Sequence, residues 1–314
     1  MNFELGSDER LLVSSVREAL SRIDTLAAAR NALDGQAGAE MPDLWKEAVR
    51  GGWTEICPTE ERGLLHGVLV LIECGRRLAP TGLVGHLAVI SILKGLKERA
   101  AFVPRGHHDF VPDAAEADVL LVELDEGPLL VDCASVRRVG RYDPSRPLGR
   151  VDLSDLDPAA DGTWVDADPG FAWNVAQTLL AAETLGAAEA ALDLAVTYAK
   201  QRKAFGRSIG SFQAIKHQLT DSLRLNENAR SLLYFAAYAA QNEPERFGLA
   251  ANAARFAVEH AADVGTRRSI AVHGGLGATW EHDAHLYFRR AQLSRLLLGG
   301  QTGAGERVVS HVLG

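Results

Sequence analysis

The segment YAKQRKAFGRSIGSFQAIKHQLTD, Tyr198 to Asp221, places Arg202 at the end of a long apolar-striped run. Phe205-Gly206 then makes a turn, and Gln213 opens the next run. An arginine beside a turn and a helix N-terminus can grip a pyrophosphate. The guanidinium forks onto phosphate oxygens, and unsatisfied backbone N–H groups favour negative charge. A solvated arginine next to a helix–helix turn has the same spacing, so the residues alone leave both readings open. A second segment, AVHGGLGATWEHDAHLYFRRA (Ala271 to Ala291), carries Gly274, Gly275 and Gly277. Paired glycines let a backbone approach a ligand closely, or simply turn tightly.

Two carboxylates near these segments could move a proton. Glu183 lies inside the long run and reads as a partner for a basic residue between packed helices. Glu281 opens a helix in TWEHD, where an acidic residue suits the helix dipole, and it is the best base candidate if the chain has its own. His273 and His285 read as structural or surface residues. Ser/His/Asp chemistry has no local signature. The ten histidines are scattered, and Cys57, Cys74 and Cys133 lack metal-ligand spacing, so no metal site is expected and the thiols read as reduced in a cytoplasmic protein.

The elements that must position these residues follow from periodicity. Val175, Leu179, Ala182, Leu185, Ala188, Leu192 and Val196 recur at steps of three and four, one apolar stripe on a long helix that starts near Asp168. Further helices are expected from about Phe212 to Asn242, Arg246 to His273 and His282 to Leu298, making a four-helix bundle over residues 168–314. Residues 1–100 also read as helical. Ser7 or Asp8 caps a first helix to about Ile23, MPDLWKEAVRGG ends at Gly51-Gly52, and GVLVLIECGRRLAP stops at Pro80. Between them, residues 101–167 hold short apolar runs. ADVLLVEL and PLLVDC flank Asp125-Glu126-Gly127 as a hairpin, and Val136–Val139 and RVDLSDL add strands to a small, mostly antiparallel β region.

The formal net charge of -8 argues against a nucleic-acid surface, which needs clustered Lys and Arg. The start shows no signal peptide, and no apolar run is long enough to span a bilayer.

The Tyr198–Asp221 segment closely resembles the acyl-CoA dehydrogenase family. In that family the Arg-x-x-Phe-Gly turn holds the FAD pyrophosphate of a neighbouring subunit, and the Gln on the next helix lies at the dinucleotide. The resemblance therefore implies Arg202, Phe205, Gly206 and Gln213 as cofactor-binding residues. It places Gly274, Gly275 and Gly277 at the FAD adenosine end, with Ala271 standing where the family often has Gln. DLWKEAVRGGWTEICPTEERG and ECGRRLAPT resemble the family's N-terminal helical domain. The middle departs from it: the β region is shortened and lacks the usual Thr-Glu-Pro and Gly-Ser-Asp pieces. The family's catalytic Glu occupies one of two positions, and here they hold Leu298 and Ala176. Neither can accept a proton, so no catalytic residue is assigned.

Together these features resemble the small subunits of heteromeric α2β2 acyl-CoA dehydrogenases, known from actinobacterial sterol side-chain and ring breakdown. The resemblance implies a mainly α fold with a reduced β region, and FAD shared at a subunit interface. It also implies a larger homologous partner that supplies the Glu, an acyl-CoA substrate such as a steroid-derived CoA thioester, and an electron-acceptor flavoprotein. Two other readings stay open: a self-sufficient dehydrogenase using Glu281, and a non-catalytic scaffold subunit.

Overall fold

A computed structural model describes residues 4–35, 39–132, 136–140 and 142–313; Cys133 lies outside the described residues. Five helices come first: α1 (Ser7–Ser21), α2 (Thr25–Leu33), α3 (Trp45–Arg50), α4 (Gly63–Arg77) and α5 (Leu83–Ile90). The first helix is capped by the backbone of Gly6, not by the Ser7 or Asp8 side chain expected from sequence. Asp24 caps α2 by accepting from the Ala27 N–H at 3.0 Å. Gly52, at φ 69°, ends the α3 segment as expected, and Leu78 closes α4 in the left-handed region two residues before Pro80.

The β region holds β1 (Ala100–Val103), β2 (Val111–Pro112), β3 (Val119–Glu123), β4 (Pro128–Asp132), β5 (Val136–Arg138), β6 (Leu148–Val151) and β7 (Gly162–Trp164). One sheet runs β1-β3-β4-β7 and the other β2-β6-β5. The β3–β4 hairpin falls where Asp125-Glu126-Gly127 predicted it, with Glu123 opposite Pro128. One pairing is parallel within this mostly antiparallel region. β1 runs parallel to β3, with Ala100 opposite Val119. Its four residues are all buried, packed beside α5. A strand covered on both faces has no polar alternation to betray it.

The C-terminal half is α6 (Pro169–Gln201), a two-residue hairpin of β8 (Lys203–Ala204) and β9 (Arg207–Ser208), then α7 (Gln213–Asn242), α8 (Pro244–His273), α9 (Ala284–Ser294) and α10 (Gly300–Leu313). The fourth bundle helix was expected to reach Leu298; it stops at Ser294. Leu298, Gly299 and Gly300 all have positive φ, which no helix interior tolerates, and α10 is a separate helix that starts at Gly300. The stripe on α6 understates its burial. Between Val175 and Ala188 every residue is buried, because α6 is the central helix, packed by α4, α5, α7, α8 and α9.

Two glycines set the α4–α6 crossing. A Cβ on Gly75 would lie 1.9 Å from the Glu183 carbonyl oxygen, and one on Gly186 would lie 2.0 Å from that of Ile72. Neither backbone can yield without moving its helix. Gly186→Ala is therefore expected to destabilise the chain by at least the ~1–3 kcal/mol typical of overpacking. Urea unfolding checks this, and a midpoint unchanged from wild type would contradict the crossing. Burial elsewhere in α4 pushes the Cys74 thiol up to about 12, so it is inert at neutral pH.

Candidate functional site

Arg202 is the C-cap of α6, its N–H bonded to the Tyr198 carbonyl at 2.8 Å. Its side chain is exposed and makes no ion pair or hydrogen bond among the described residues. The hairpin after it turns through Phe205 at φ 52° and Gly206 at φ 79°, two successive positive φ values as a type I′ turn requires. A phenylalanine is an unusual occupant of that region. The conformation projects its ring almost wholly into solvent, at 96% exposure. Below the turn, Phe212 holds the hairpin: the Arg207 guanidinium lies 4.2 Å over its ring, and Phe205 meets it edge-on at 6.2 Å. Gln213 begins α7 with its side chain exposed. Its amide nitrogen lies 2.9 Å from Nε2 of His217, which accepts the bond.

The glycine segment ends α8. Gly274, at φ 61° and ψ -140°, caps the helix, and residues Gly274–Ala278 form a short 3-10 turn. Gly277 is needed for packing, since a Cβ there would sit 2.7 Å from the Ile270 carbonyl oxygen. Gly274, Gly275 and Gly206 are different: a Cβ at any of them would meet nothing within 4 Å. Their open sides face outward from the chain.

An aromatic stack joins the two segments. The Tyr198 ring lies 4.4 Å from that of His273, and His273 lies 4.1 Å from His282. His273 donates its Nδ1–H to the Ser269 carbonyl at 2.7 Å, which leaves Nε2 unprotonated, buried and unpartnered. Burial lowers the pKa of His273, His282 and His285 and so favours the neutral form of each. Val272 packs there against Ala195, Ala199 and Ile209. The Arg202 turn, Gln213 and the glycine turn therefore share one end of the bundle. His273 and His285, read from sequence as structural or surface residues, are both buried.

The two base positions lie elsewhere. Ala176 is 2% exposed and Leu298 4%, both inside the main hydrophobic core. They are neighbours. Gln177 donates to the Leu298 carbonyl at 2.7 Å, and Arg255 donates to the carbonyls of Ser294 and Leu297 at 2.6 and 3.2 Å. From Ala176 to Arg202 the single helix α6 spans about 39 Å at 1.5 Å per residue. Glu281 is exposed before α9, and the 11 residues of that helix separate it from the Leu298 turn by roughly 16 Å. Glu183 has both oxygens engaged, Oε1 by Arg290 at 2.8 Å and Oε2 by Arg146.

That pairing belongs to a buried network the sequence did not disclose. Arg290, fully buried, also donates to Asp143 at 2.6 Å and to the Ser145 carbonyl and hydroxyl at 2.8 and 2.7 Å. Burial raises the Asp143 pKa, but Arg290 and Ser145 outweigh it and hold the carboxyl below its usual range. Asp143 and Ser145 lie 147 and 145 residues from Arg290, in a breaker-rich loop, so no periodicity could have joined them. Among the described residues no cluster could hold a metal, and no helix is long and apolar enough to cross a membrane.

A helical bundle preceded by a small β region and an N-terminal helical layer is the acyl-CoA dehydrogenase fold, and this chain belongs to the acyl-CoA dehydrogenase family. Residues 172–309 match the model of the acyl-CoA dehydrogenase C-terminal domain. The chain is 32% identical to acyl-CoA dehydrogenase IpdE2 of Mycobacterium tuberculosis, over 97% of both chains. Among solved structures, a chain of the ChsE4-ChsE5 complex from Mycobacterium tuberculosis superposes with a TM-score of 0.83 at 21% identity, covering 100% of this chain and 99% of that one. A chain of the Tcur3481-Tcur3483 steroid acyl-CoA dehydrogenase gives 0.82 at 25% identity, covering 99% of each.

Proposed function

We propose that this chain is the smaller subunit of a heteromeric acyl-CoA dehydrogenase, holding the distal part of an FAD whose reactive ring lies on a homologous partner. Members of the family bind FAD. The residues fit its dinucleotide end. Arg202 is an exposed cation with no side-chain partner among the described residues, and Gly206, Gly274 and Gly275 leave backbone open to close approach. The chief support is the ~39 Å of helix between Arg202 and Ala176. A turn so far from this chain's own base positions serves a centre on another chain. The two-chain steroid enzyme among the similar structures supports a heteromeric assembly and a steroid-derived CoA thioester as substrate.

In that assembly residues 1–100 and 168–314 form the helical units around a β unit, 101–167, too small to seat the ring. Arg202 binds a phosphate bidentately, Gln213 hydrogen-bonds beside it, and the two open glycines admit the adenosine portion. FAD, when bound, would supply the acceptor for the hydride that leaves Cβ of the thioester. Removal of the α proton falls to the partner, because Ala176 and Leu298 carry no proton acceptor. Glu281 is a poor substitute on position alone, lying at the far end of α9 from the Leu298 turn, and Glu183 is tied up by two arginines. An electron-acceptor flavoprotein would take up the electrons from that cofactor.

Arg202→Ala tests this directly. Charged hydrogen bonds are worth roughly 1.5–3 kcal/mol, so flavin affinity of the assembled complex is expected to drop about ten- to a hundredfold. Unchanged flavin content after extensive dialysis contradicts the assignment. It would favour a scaffold that never touches the cofactor.

A further inference from the structure

Beside the glycine turn lies an exposed cluster that the proposed cofactor contacts do not use. Trp280, 52% exposed, and Tyr142, 48% exposed, flank the Arg289 guanidinium at 5.5 and 5.2 Å from their ring centres. The three come from the turn before α9, the loop between β5 and β6, and α9 itself. Each is held from below. His285, buried, meets the Trp280 ring edge-on at 5.4 Å. Arg289 donates to the Tyr142 carbonyl at 3.0 Å, and the adjacent Arg290 fixes the same loop through Asp143 and Ser145. Arg289 has no carboxylate partner among the described residues.

Exposed tryptophan, tyrosine and arginine held rigid together are the composition of an interface hot spot. Rigid anchors lose little entropy on docking. The cluster is continuous with the site already described. Leu276, 37% exposed, lies within the glycine turn and Trp280 follows it, and the stack Tyr198–His273–His282 leads from it to the turn bearing Phe205. We infer that Trp280, Arg289 and Tyr142 anchor the homologous flavin-bearing chain, which covers the indole with an apolar side chain and gives Arg289 a carboxylate. This rests on the heteromeric reading above. The cluster seals the rim around the dinucleotide end, so assembly and flavin retention share one surface.

The test uses the two-chain complex, this chain co-expressed with a full-length homologue that carries the catalytic Glu. Trp280→Ala is expected to weaken association of the chains about thirtyfold or more, measured by dilution of a fluorescently labelled complex. Arg289→Glu is expected to weaken it as well, whereas Arg289→Lys keeps part of the affinity. The thermal transition of the isolated Trp280→Ala chain should match wild type, since the side chain is half exposed. At protein concentrations that keep the chains together, the Trp280→Ala complex should hold its full flavin. Association unchanged in Trp280→Ala overturns the inference and leaves the heteromeric reading standing. So does loss of flavin with association intact, which would make Trp280 a cofactor contact. A wild-type chain that forms no complex with the homologue overturns both.

Discussion

Arg290→Met is expected to cost the chain about 3–5 kcal/mol, the range for removing one member of a buried ion network. Methionine keeps much of the volume, so the loss isolates charge. Asp143 and Glu183 would be left buried with only Arg146 as counter-ion, and the Ser145 carbonyl and hydroxyl would lose their donor. The pH dependence separates this from a packing defect. In the native chain Asp143 has a depressed pKa. Its contribution to stability is complete above the ordinary carboxyl range and is lost as pH falls through the depressed value. Without Arg290 the buried carboxylates favour protonation, so the deficit of the variant should be larger at pH 7 than at pH 5. Denaturant unfolding at both values checks it. A deficit independent of pH would mean that Arg290 acts by shape alone.

In the co-expressed complex, replacing the partner's catalytic Glu with Gln is expected to lower turnover of a CoA thioester by about 10²–10⁴-fold, the usual worth of a general base. Glu281→Gln in this chain should leave most of the activity. The contrast follows from geometry. Glu281 is exposed and a helix length from the Leu298 turn, while Ala176 and Leu298 are sealed in the core. Comparable losses from both variants would mean that this chain contributes a proton acceptor after all.

Local signals in the sequence carried much of this. The α6, α7 and α8 helices followed from apolar periodicity, with the start of α8 falling two residues earlier, at Pro244, than the periodicity placed it. The Phe205-Gly206 turn and the β3–β4 hairpin were legible for the same reason. What escaped notice depends on distance in space. Arg290 finds Asp143 and Glu183 across the fold, and Tyr198 finds His273 across the bundle end. Neither contact leaves a pattern in either segment. The α9–α10 break was hidden because RAQLSRLLLGG continues a helical composition up to two glycines, and only the positive φ of Leu298 shows where the helix has already ended. The short apolar α5, LVGHLAVI, and the parallel β1 carry no alternation because every residue in them is buried. His285 and Trp280, neighbours of a motif, gained meaning only once Arg289 and Tyr142 stood beside them.

The most direct test of a flavin held between two chains is its stoichiometry in the chain alone and in the complex. The isolated chain, after gel filtration with excess FAD, is expected to retain almost none and to give no dehydrogenation of an acyl-CoA with a ferrocenium acceptor. The co-expressed complex is expected to be yellow, with about one FAD per pair of chains, as one ring-bearing chain and one Arg202 turn per cofactor require. An isolated chain that binds FAD stoichiometrically and dehydrogenates an acyl-CoA at the rate of the complex would contradict the account.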